Sequence, residues 1–140
     1  MPAFTSERSQ RVRSELSRPL VEVVDFAIKE IDFSLICGAR SLGEQQDMYN
    51  SRPRKSHLDG IKKKSKHQVF PHSPLAEAFD FIPAPFTTWD DRALFTAYAF
   101  YFIGIAAAKG IELRSGIDWD QDFRWKDQTF HDFPHIERVF

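Results

Sequence analysis

The segment His131-Asp132-Phe133-Pro134-His135-Ile136-Glu137 places an aspartate three residues before a histidine. Those are the two side-chain types that metal-assisted hydrolysis uses: a neutral imidazole holds the ion, and a carboxylate left outside the coordination shell serves as base for the attacking water. Alone the pair is a chance-level signal, because short polar pairs mostly lie in turns or on the surface. Partners stand upstream. Ala78-Phe79-Asp80-Phe81-Ile82 has the composition of a strand, and a carboxylate among such rings is tolerated mainly where a metal or a partner offsets its desolvation. With His67 shortly before it, Asp80 and His135 make up a His, Asp, His set. Three protein ligands leave the fourth position of zinc open to water, as in catalytic rather than structural sites.

The elements that must position these residues follow from patterning. Ser17-Arg18-Pro19 is an N-cap and first-turn signal, and Leu20, Val23, Val24, Ala27, Ile28 and Ile31 then draw one apolar helical stripe. Residues 33–37, Phe-Ser-Leu-Ile-Cys, are too few for a helix and rich in strand formers. Ser41-Leu42-Gly43-Glu44 has the capping-box pattern of a helix running through Gln45, Met48 and Tyr49. A long apolar helix, expected to be central and buried, follows Thr88-Trp89-Asp90-Asp91 and stops at Lys109-Gly110. Ile111 to Arg114 alternates like a strand, Gly116 to Phe130 reads as an acidic and aromatic loop, and Ile136 to Val139 reads as a closing strand with His135 at its start. The expected fold class is α+β, a small antiparallel sheet packed against helices. Residues 1–140 form one domain, with 1–16 polar and flexible and 51–74 a long basic loop carrying an insertion.

Arg40 stands between a strand end and a helix start. It is either a surface cation paired with a neighbouring carboxylate or a fork that grips a substrate carboxylate or carbonyl. In the basic loop, Arg52, Arg54, Lys55, Lys62, Lys63, Lys64 and Lys66 surround only Leu58 and Ile61 as apolar anchors. A solvated, mobile segment is favoured over a nucleic-acid contact, since no stacking aromatics are interleaved; attraction to an anionic polymer such as a cell wall is a third use.

Composition bounds the rest. A chain of 140 residues buries enough surface for one real core, and 14 Phe, three Tyr and three Trp predict that rings build it. The net charge of −1 argues against a protein devoted to nucleic acid. Cys37, the sole cysteine, lies in an apolar run and reads as a buried structural thiol, so a metal would be held by histidines and carboxylates. The absence of an apolar N-terminal stretch or a span of membrane length predicts a chain made in the cytoplasm without a signal peptide and without membrane insertion. A monomer is expected.

Taken together, Asp32-Phe33 leading to Gly38-Ala39-Arg40-Ser41 with Glu44-Gln45 and Tyr49, Ser65-Lys66-His67 followed by Ala78-Phe79-Asp80, Gly116-Ile117-Asp118-Trp119, and Asp132 to Glu137 resemble the VanY-like zinc peptidases that cleave peptidoglycan stem peptides. The nearest likeness is to the L-alanyl-D-glutamate endopeptidases found as phage endolysins and cell-wall lytic enzymes. The resemblance implies Zn²⁺ held by His67, Asp80 and His135, Asp132 as catalytic base and Arg40 on the substrate or its developing oxyanion. It also implies a peptidoglycan stem peptide as substrate, met at the bacterial wall after release. The segment Gln68 to Pro74 is an insertion relative to the family and holds a rival ligand, His72; Ser65-Lys66-His67 reproduces the family's Ser-x-His context. Glu137 shares a strand face with His135 and is either a support for that histidine, a contact for the substrate amine, or a surface acid. Within the same family a D-Ala-D-Ala carboxypeptidase is the alternative; outside enzymes, the alternatives are a non-catalytic cell-wall binding module and a nucleic-acid protein using the basic loop.

Overall fold

Alternation along the strands divides a sheet into a ring-lined core face and a polar face. The computed structural model describes residues 2–124, 126, 128 and 130–140. Its helices are α1 (Glu7–Ser14), α2 (Arg18–Ala27), α3 (Leu42–Asn50) and α4 (Arg92–Ala108), and its strands are β1 (Phe33–Cys37), β2 (Ala78–Pro83), β3 (Leu113–Gly116) and β4 (Asp132–Arg138). The strands pair antiparallel throughout in the order β1-β2-β4-β3. This is the expected α+β class.

Phe79 and Phe81 of β2 face the core, where Phe102 of α4 meets Phe33, Phe79 and Phe81 edge to face at centroid distances of 5.0, 5.4 and 5.1 Å. The period of two then sends Asp80 to the opposite face. The carboxylate is therefore not embedded among the rings that flank it in sequence. His135 pairs with Asp80 across β2 and β4, and Glu137 lies two residues further along the same face, opposite Ala78. A bulge between Leu35 and Cys37 brings Cys37 opposite Asp80 on the other side.

Several elements depart from the sequence reading. Residues 3–16 are ordered: a 3-10 turn over Ala3–Thr5 and then α1 send Phe4, Val12 and Leu16 into the core. Three apolar residues in so polar a stretch make too thin a stripe to register as periodicity. The Asp32 carboxylate ties this segment down by accepting from the backbone of Ala3 and Phe4, and Arg13 forks onto Asp25 of α2 at 2.7 and 2.6 Å. Helix α4 is not buried all round. Phe95, Ala99, Phe102, Ile105 and Ala106 form its core face, while Ala97, Gly104, Ala107 and Ala108 are exposed. Strand β4 starts at Asp132 rather than Ile136, because Gly116 pairs with Asp132 across an irregularity in the β3–β4 register. Of the acidic and aromatic loop, Trp125, Asp127 and Thr129 lie outside the described residues.

The basic segment is folded down by hydrogen bonds. One oxygen of Asp59 accepts the backbone N–H groups of Ile61, Lys62 and Lys63, and Gln45 and Gln68 hold the carbonyls of Leu58 and Gly60. Local side-chain-to-backbone bonds of this kind leave no trace in hydropathy. Among the described residues, no helix is long and apolar enough to cross a membrane.

Phe102 is the ring on which the core converges. Phe102→Ala should destabilise the fold by about 3–5 kcal/mol, read as the shift in urea unfolding midpoint at unchanged slope.

Candidate active site

Two strands and two loop segments deliver the polar cluster. From β2 comes Asp80, from β4 His135 and Asp132, and from the segment before β2 comes His67. Arg40 lies just beyond β1; its backbone N–H donates to the His67 carbonyl at 2.8 Å and its carbonyl accepts from Val69 at 3.0 Å. That short parallel bridge fastens His67 beside the end of β1.

His67 Nε2, Asp80 Oδ1 and His135 Nδ1 form a nearly equilateral triangle, with edges of 3.1, 3.2 and 3.3 Å. A tetrahedral zinc bound at about 2.0–2.1 Å sets its ligand atoms about 3.3–3.4 Å apart, so the three atoms fit such an ion with little movement. The outer nitrogens agree. His67 Nδ1 donates to the Gly38 carbonyl at 2.8 Å, and His135 Nε2 donates to Glu137 Oε1 at 2.7 Å. Each bond fixes the tautomer that leaves the inner nitrogen's lone pair aimed at the shared position. Cys37, His67 and Asp80 also offer ligand atoms within 4.8 Å of one another. The Cys37 sulfur, however, is 3.7 Å from His67 Nδ1, the nitrogen already committed to Gly38, so the set with His135 is the better cage. Cys37 itself is half-buried beside the site, not a core thiol. His72 stacks on Phe70 at the surface, away from the cluster.

Electrostatics reflect the crowding. Burial opposes a charged His67, but the hydrogen bonds to Asp80 and Cys37 prevail and carry its pKa up to about 10. Burial likewise opposes His135, and its bonds to Asp80 and Glu137 raise it. Asp80, despite burial, is held well below the usual carboxylate range by the two imidazoles. Asp132 moves the other way: burial raises its pKa, and the negative charge of Asp80 adds to the rise against the pull of His135, His67 and Arg40. Two acids share this site with opposite shifts, the pattern in which one stays ionised and the other exchanges protons.

Arg40 is half-buried and is no surface cation. Its Nη1 donates to Gln45 Oε1 at 2.8 Å and its Nη2 reaches the Cys37 sulfur at 3.7 Å, leaving further donors of the fork unassigned by these contacts. Gln45, fully buried, in turn donates to Ser56 Oγ and the Leu58 carbonyl, so one amide couples Arg40 to the basic segment. The family resemblance includes Gln45 without assigning it a role, and helix spacing alone does not separate it from Gln46. Glu137 proves to be a buried support for His135 rather than a surface acid.

A helix-flanked antiparallel sheet carries this cluster on its polar face, with three donor atoms spaced as one tetrahedral cation would need them. The profile of the phage L-alanyl-D-glutamate peptidase family matches residues 2–139, and the chain belongs to that family. It is a peptide hydrolase by that membership. Among solved structures, the Serratia marcescens L-Ala D-Glu endopeptidase ChiX is similar in fold, with a TM-score of 0.70, 23% identity, and coverage of 96% of this chain and 88% of that one. A search of curated proteins found no match.

The shifts have a consequence for the metal-free protein. Because the pKa of His67 rises on folding from its ordinary 6.5 to about 10, its proton stabilises the fold fully below about pH 6.5. That contribution disappears as pH climbs through about 10. The melting temperature of chelator-treated protein should therefore fall between pH 6.5 and 10, and zinc should suppress the fall by replacing the proton; thermal melts with and without zinc check both.

Proposed function

We propose that this chain is a zinc-dependent peptidoglycan hydrolase that cuts the stem peptide at the L-Ala–D-Glu bond. The observation that carries the reading is the triangle of His67, Asp80 and His135 atoms with Asp132 left outside it but within electrostatic reach. Family membership supports the substrate class and the bond. When bound there, Zn²⁺ supplies a water whose pKa is lowered toward 7 and a Lewis acid for the scissile carbonyl.

The protein residues divide the remaining work. Asp132, with its pKa raised by burial, takes the proton of the attacking water and returns it to the leaving amine nitrogen. Asp80 stays ionised and offsets the charge of the cation. Arg40, braced by Gln45, points donors at the negative charge developing on the carbonyl oxygen or at a carboxylate next to the cut bond. Gly38 and Glu137 hold the two imidazoles in the ligating tautomer.

Gly116 sets the position of Asp132. A Cβ on Gly116 would lie 2.2 Å from the Asp132 carbonyl oxygen and 2.8 Å from the Asp132 Cβ, so only glycine lets the two strands approach here.

Mass spectrometry of purified stem-peptide digests should show a new amine at D-Glu that disappears with chelator and returns with zinc. Release of terminal D-Ala instead identifies a carboxypeptidase, and binding to sacculi without any cleavage identifies a non-catalytic module. Asp132→Asn should retain zinc and lose about 10²–10⁴-fold in kcat; full activity with zinc bound would remove Asp132 as base. Gly116→Ala should retain zinc and lose about 100-fold in kcat through misplacement of Asp132, measured on the same peptides.

A further inference from the structure

We propose that Arg114 is a positioning residue for His135, acting through Glu137 and Trp119. The proposal rests on His135 being a metal ligand. Arg114 lies on β3 directly opposite Glu137 of β4, on the polar face of the sheet. The Glu137 carboxylate is a bridge: Oε1 accepts from His135 Nε2 at 2.7 Å and Oε2 accepts from Arg114 Nη2 at 2.6 Å. Its side chain is 8% exposed, so its charge is removed from water and depends on these two partners.

The same guanidinium reaches a second support of the imidazole. Arg114 Nη1 donates to the Trp119 carbonyl at 3.4 Å, and the Trp119 ring lies against the face of His135 at a centroid distance of 5.5 Å and an angle of 37°. One fork thereby holds both the acceptor at the outer edge of His135 and the ring on its face. An arginine suits this arrangement because its planar donors can serve two acceptors at fixed angles, whereas a lysine offers a single point charge. Without Arg114, the Glu137 carboxylate would lose the partner on its Oε2 and would be free to turn outward toward water. The imidazole would then lose the acceptor that holds its Nε2 proton, and with it the preference for presenting Nδ1 to Asp80 and His67.

Loss of a support behind a ligating histidine costs about 10–100-fold in metal affinity. Zinc dissociation constants of the full chain, measured by competition with a chromophoric chelator, should rise at least about 10-fold in Arg114→Leu and in Glu137→Gln. The double variant should lose little beyond either single one, because both changes break the same chain of contacts. Arg114→Lys should recover part of the affinity. A purely structural arginine would lower the melting temperature of the metal-free protein and leave zinc affinity as in the wild type. Wild-type affinity in Arg114→Leu, or losses that multiply in the double variant, would overturn the proposal while leaving the metal site standing. A wild-type protein that takes up no zinc removes the site and the proposal together. Should Arg114→Leu fail to fold, Arg114→Gln takes its place under the same criteria.

Discussion

The structure depends on one costly placement: the Asp80 carboxylate sits between two buried imidazoles on the polar face of the central strand pair. Desolvating an acid there is unfavourable unless positive charge compensates it. In the metal-free protein the hydrogen bonds to His135 and His67 hold the Asp80 pKa down; in the holoenzyme proposed here a cation takes over that compensation. Most of the fold outside the hydrophobic core can be understood as holding those three groups at that spacing.

The supports come from every part of the chain. Helix α1 backs the end of β1, where Glu15 accepts from the Ala39 backbone and a Cβ on Gly38 would come within 3.0 Å of both Glu15 and Val12. The carbonyl of Gly38 then orients His67. The N-terminal segment thus belongs to the architecture of the site. On the other side, β3 contributes the Arg114 that pairs with Glu137, and Gly116 allows the close approach of Asp132. The sheet order β1-β2-β4-β3 is what makes this possible: the central strands carry Asp80 and His135, and the edge strand β3 carries the brace for β4.

The opposite pKa shifts of Asp80 and Asp132 come from the same crowding. Asp80 bonds directly to both imidazoles, so their charge outweighs its burial. Asp132 is half-buried and lacks such bonds, so desolvation and the nearby Asp80 charge prevail. Identical side chains therefore acquire different chemistry, one suited to holding charge and the other to moving a proton.

By itself the sequence determined the elements with strong periodicity or cap chemistry, namely α2, α3, β1 and β2, the aromatic makeup of the core, and the residue types from which a cation cage could be drawn. Those signals are local, written in spacing over a few residues. Helix α1 and the start of β4 at Asp132 were settled by bonds between residues far apart in the chain, the one-sided burial of α4 by packing against the sheet, and the basic segment by side-chain-to-backbone bonds that hydropathy does not record. The same holds within the site. Strand alternation could place His135 and Glu137 on one face, but only the antiparallel register put Asp80 opposite His135 and Arg114 opposite Glu137. The bridge between Arg40 and the His67–Val69 backbone brought His67 to the cluster and left His72 on the surface. Hydrogen-bond register across strands is a property of paired chains, and a single strand's sequence does not contain it.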